Sequence, residues 1–71
     1  SILLDTLVIL IALKWYNQLR EASLLLKNYE YLVLSLIGIS KCADKGNLLS
    51  ESIVILKKAL EFAWYVKSTE L

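Results

Sequence analysis

The chain contains no histidine and no proline, only two glycines and a single cysteine. Without histidine there is no Ser-His-Asp or Cys-His pair to activate a nucleophile, the commonest general base is missing, and most zinc and di-iron sites lose a ligand. The acids Asp5, Glu21, Glu30, Asp44, Glu51, Glu61 and Glu70 show no spacing that converges on one helical face, so a carboxylate metal or glycosidase site is not expected either. One glycine in "DKGN" lacks the repeated glycines of a phosphate-binding loop. Cys42 cannot make an internal disulfide, and a reducing, cytoplasmic setting is the simpler expectation. Flanked by Lys41 and Ala43, it reads as a small buried hydrophobe rather than a reactive thiol. No enzymatic activity, catalytic residue, cofactor or metal is expected.

Charge of one sign is also scarce. Eight Lys/Arg against seven Asp/Glu give a net charge of +1, and Lys14, Arg20, Lys27, Lys41, Lys45, Lys57, Lys58 and Lys67 are scattered. Too little field results to draw in a polyanion, and the aromatics Trp15, Tyr16, Tyr29, Tyr31, Phe62, Trp64 and Tyr65 come without a basic or glycine-rich strand, so nucleic acid is not an expected partner. Long apolar runs are missing as well. Asp5 and Lys14 leave only Thr6 to Leu13 uninterrupted, and Lys41 closes the run from Tyr31 to Ile39, both well short of the about 20 residues a spanning helix needs. The opening residues have no basic stretch of the kind that begins a signal peptide. Membrane association is therefore the disfavoured alternative.

What the chain has is hydrophobic residues, 58% of its length against about 45–50% in ordinary soluble domains. With Leu, Ala, Lys and Glu abundant and proline absent, the composition is helical. A continuous helix from Ser1 to Ala43 would be about 64 Å long, several times the radius of any core this chain could build, so it should break. "KNYE", Lys27 to Glu30, is the expected break, with Asn28 as N-cap. A second falls at "DKGN", where Gly46 should take the left-handed conformation and Asn47 should cap the next helix. The expected helices run from about Leu3 to Leu26, Tyr29 to Ala43 and Leu48 to Ser68. Short links make them antiparallel: an all-α helical hairpin or up-down-up three-helix bundle, either a single domain or a fragment of a larger helical protein.

The third helix carries two parallel apolar stripes, Leu49, Ile53, Leu56, Leu60, Ala63 and Leu48, Ser52, Ile55, Ala59, Phe62, Val66, which together span about 200° of its circumference and imply two neighbours. Its small residues Ser52, Ala59 and Ala63 let another helix approach closely. The first helix is apolar in nearly every direction from Ile2 to Leu13. Such a helix is either covered by a second surface from outside or is a core helix with a few exposed leucines.

"ADKGNLLSESIVILKKALEFA" resembles the inter-helix turn and second helix of a tetratricopeptide repeat. In that family a small residue, a large one four positions on and an alanine three further face the first helix, and Ser52, Leu56 and Ala59 fit this pattern. Leu36, Ile39 and Ala43 fall where the first helix would place its packing residues, and Ser40 stands where the family has a small glycine. "KNYEYLVLSL" is similar to the start of the second helix in microtubule-interacting-and-trafficking domains, three-helix bundles that receive peptide helices in a groove. Both resemblances imply a helical hairpin and a protein partner.

These readings lead to a non-enzymatic interaction or scaffold module that binds a partner helix, or self-associates, through Leu7, Ile11 and Trp15 of the first helix and Leu56, Leu60, Phe62 and Trp64 of the third, with the partner in the groove between them. The paired aromatics Trp15/Tyr16 and Trp64/Tyr65 serve equally well as interface anchors or as lids on the bundle core. The alternative is a structural subunit of a filament, capsid or membrane-associated assembly built from packed apolar hairpins.

Overall fold

A computed structural model describes residues 1–69. Helix α1 runs Ile2–Leu25, α2 Tyr29–Lys45 and α3 Leu49–Thr69, each within two residues of the bounds expected from sequence. Ser1 caps α1, its side chain accepting from the backbone N–H of Leu4 at 3.2 Å. Asn28 caps α2 as expected, with Oδ1 accepting from the Tyr31 N–H at 3.2 Å.

The two turns are the same structure built twice. In the first, Lys27 N–H donates to the Leu24 carbonyl and Asn28 N–H to the Ser23 carbonyl; in the second, Asn47 N–H donates to Asp44 and Leu48 N–H to Ala43. This crossed pair of bonds is the Schellman pattern, which places the residue just past the helix in the left-handed region. The residues there are Lys27 (φ 55°) and Asn47 (φ 62°). The expectation for Gly46 was wrong: its φ is −85°, so glycine occupies the cap itself and Asn47 takes the left-handed position, a conformation asparagine tolerates better than most side chains.

Cross-helix pairs show the antiparallel course. Tyr16 of α1 meets Gly38 of α2, Ser40 of α2 meets Ser52 of α3, and Tyr29 at the start of α2 meets Phe62 and Tyr65 late in α3. Helix α2 packs against both neighbours, while no Cα of α1 comes within 8 Å of one in α3. The molecule measures 47 × 23 × 13 Å. Three helices side by side at about 9 Å spacing are about 23 Å across, whereas a closed triangle would be about 14 Å. The up-down-up arrangement is thus an open layer with α2 in the middle. Its radius of gyration, 13.2 Å, exceeds the about 11 Å of a compact chain this long.

The two seams differ in chemistry. Between α2 and α3 the apolar core is Leu32, Leu36 and Ala59, flanked by Tyr29, Val33, Ile37, Ile55 and Phe62. Between α1 and α2 the side chains are small: Ser35, Gly38 and Cys42 form one buried stripe on α2, and Ser23 is buried on α1. The Tyr16 ring lies directly over Gly38, where a Cβ would overlap it. Every buried serine is satisfied within the protein. Ser23 Oγ donates to the Leu19 carbonyl at 2.6 Å, Ser35 Oγ to Leu32 at 2.7 Å, and Ser40 Oγ lies 3.2 Å from the Ser52 carbonyl and 3.0 Å from the Ser52 hydroxyl.

Candidate interaction surfaces

Size sorts the α1 side chains in the reverse of the usual order. Serine, glycine and cysteine occupy the α1–α2 seam, while large apolar residues of α1 stand in solvent: Ile2 is 89% exposed, Leu3 81%, and Leu4, Leu7, Val8, Leu10 and Ile11 are each at least half exposed. Small residues in a seam let two helix backbones approach closely, and the large residues are left for the outside.

Six of the seven residues expected to meet a partner are exposed. Leu7 and Ile11 are about half exposed and Trp15 64%; on α3, Leu56 is 46%, Leu60 59% and Trp64 63% exposed. Phe62 is different: it is half-buried, packs on the Leu32–Leu36–Ala59 core and stacks on Tyr29 with ring centroids 6.3 Å apart. It belongs to the α2–α3 seam. Of the two stripes on α3, the one containing Ser52, Ile55, Ala59 and Phe62 meets α2, and the residues of the one containing Leu49, Ile53, Leu56 and Leu60 are 46–62% exposed. Helix α3 has one neighbour, not the two its apolar width implied. Leu56, which the tetratricopeptide pattern would turn toward the preceding helix, lies on the uncovered stripe.

The expected residues do not share one groove. At 100° per residue, Leu7, Ile11 and Trp15 lie roughly opposite the Ile9, Leu13, Arg20 and Ser23 side of α1 that faces α2, so they form the outer edge of the layer. A groove does run between α1 and α3, but other residues make it. Ile9, Leu10 and Leu13 form one wall, Leu48 and Ile55 the other, and Ile39 the floor, around a space of about 700 Å³ beside the Gly46–Asn47 turn. Asp5, Lys45 and Glu51 stand at its margin. Sequence reasoning expected a groove between these two helices but gave it the wrong walls, because its lining follows from how α2 holds α1 and α3 apart, which no local pattern encodes.

The aromatics cluster at the opposite end. Tyr29 meets Tyr65 edge to face at 5.6 Å in addition to its stack on Phe62, and Lys67 Nζ lies 5.8 Å from the Trp64 ring centre, within cation–π range. Among the described residues no three of Cys, Asp and Glu gather where a metal ion could be held. Cys42 is buried.

Helix α1 meets the length and composition of a membrane-crossing helix, with a mean hydropathy of 1.4 over 18 residues, none of them fully buried in the protein. The sequence expectation of no spanning segment counted only its uninterrupted run; the average tolerates Asp5 and Lys14. No family model, no curated protein and no solved structure matches this chain.

Proposed function

We propose that the chain is a non-enzymatic helical assembly module, a layer of three helices that adheres to a protein partner or to its own kind through its uncovered apolar surfaces. One observation carries this reading: large apolar residues are exposed on all three helices, Leu3, Leu7 and Ile11 on α1, Leu34 on α2, and Leu60 and Trp64 on α3. Contiguous exposed patches of this kind mark interaction surfaces. The partner-facing regions are the outer edge of α1 at Leu7, Ile11 and Trp15, the α3 stripe at Leu56, Leu60 and Trp64, and the groove between the two helices. The test is the free chain in solution. It should bind an apolar dye such as ANS and associate, and lysine at Leu7, Ile11 and Leu60 together should suppress both without loss of helical circular dichroism. A monodisperse, cooperatively unfolding monomer that ignores the dye would overturn the reading.

A second reading, a subunit of a membrane-associated assembly, draws support from the hydropathy of α1 and from the small residues in the α1–α2 seam with large ones on the outside of α1, as lipid favours. Against it stand Lys57, Lys58 and Glu61, all exposed, near the middle of α3. Fractionation separates the two, since a membrane subunit stays with the pellet until detergent is added.

A further inference from the structure

We infer that the groove between α1 and α3 is filled by the N-terminal half of α1 from a second copy of this chain, so that two chains pair about a two-fold axis at the Gly46–Asn47 end. The inference rests on the proposed assembly role and names its partner. The groove is floored by α2 and walled by two helices that do not touch, which is the place where a fourth helix would complete a bundle. A helix lying there would meet apolar walls on both sides and would itself need apolar residues around most of its circumference. Residues 2–13 of α1 have that character: between Asp5 and Lys14 there is no charge, and Ile2, Leu3, Val8 and Leu10 are all more than half exposed in the single chain.

Wall and filler are the same segment, since Ile9, Leu10 and Leu13 line the groove. A two-fold pairing uses one patch twice, each copy giving its α1 to the other's groove. The area fits. The chain exposes 5672 Å², whereas a compact protein of 8.1 kDa exposes about 4,500 Å². The excess, about 1,200 Å², is more than the about 800 Å² that one partner buries in a typical stable interface, so the open chain has surface enough to pair. A net charge of +1 sets no appreciable repulsion against pairing.

Sedimentation equilibrium on the 71-residue chain, with Leu10→Glu and Leu25→Glu variants, tests the arrangement. Both leucines are more than half exposed, so neither change should disturb the single chain's fold, and circular dichroism checks this. The wild type should sediment at twice its 8.1 kDa mass. Leu10→Glu should weaken pairing by about 30-fold or more, as expected for a residue central to an interface, and Leu25→Glu, at the far end of α1 from the groove, should leave it unchanged. Pairing lost with Leu25→Glu but kept with Leu10→Glu would overturn the groove arrangement and leave the assembly role standing. So would a dye-binding monomer, whereas a chain that sheds its dye only on vesicles of phosphatidylcholine would overturn the groove arrangement and favour the membrane-associated reading. A monomer that neither pairs nor binds dye would remove both.

Discussion

The hydroxyl of Ser40 lies 3.0 Å from that of Ser52, and it also reaches the Ser52 carbonyl at 3.2 Å, so α2 and α3 are joined by a polar contact buried twelve positions apart in sequence. Replacing Ser40 by alanine strands the Ser52 hydroxyl in a dry seam, which costs about 1–2 kcal/mol. Replacing both removes the orphan. Urea titrations of the two single variants and the double should therefore give a double that is no less stable than Ser40→Ala alone, a clear departure from additivity.

Gly38 and Tyr16 should behave the same way for a steric reason. A methyl at position 38 overlaps the Tyr16 ring, and overpacking of this kind costs about 1–3 kcal/mol. With Tyr16→Ala in place the obstruction is gone, and Gly38→Ala should then stabilise by up to about 1 kcal/mol through helix propensity. Thermal denaturation of the four proteins reads the change of sign.

The turns make a prediction opposite to the one their sequence invites. Lys27 sits at φ 55° with a full side chain, so Lys27→Gly should raise stability by about 0.5–1 kcal/mol. Gly46 is not left-handed, and a Cβ there would meet the Cys42 and Ala43 carbonyls at an ordinary 3.5 and 3.6 Å. Gly46→Ala should be tolerated. A loss above about 1 kcal/mol in chemical denaturation, the scale of a helix-propensity change, would contradict the turn geometry.

Cys42 is 8% exposed on the seam between α1 and α2. Its reaction with a thiol reagent such as DTNB should be slow in buffer, fast in denaturant, and quickened by Tyr16→Ala, which loosens that seam.

Much of this was readable in the residues themselves. The helix bounds came from composition and from the Asn28 cap, because capping is a local matter of one side chain and one backbone N–H. The choice between Gly46 and Asn47 for the left-handed position was not readable, since both tolerate it and the Schellman bonds decide. The two stripes of α3 were also visible, but not which of them would meet α2. Ser52 and Ala59 carry the signal, because a stripe of small residues admits a neighbouring backbone and the Leu49–Ile53–Leu56–Leu60 stripe does not. Phe62 was misassigned for the same reason: it belongs to the small-residue stripe. A groove between the first and third helices was expected, but the residues that line it had no local signature.

The layered arrangement has a mechanical corollary. Since α1 and α3 each lean on α2 alone, the chain possesses two hinges in series, and either outer rod can swing away while the other stays closed. The hinge at α1 is the weaker, having serine and glycine where the other has leucine and phenylalanine. Amide protons of α1 should thus exchange with solvent through a partial opening that leaves the α2–α3 hairpin shut, and a partner that clasps α1 would lock the looser half of the molecule.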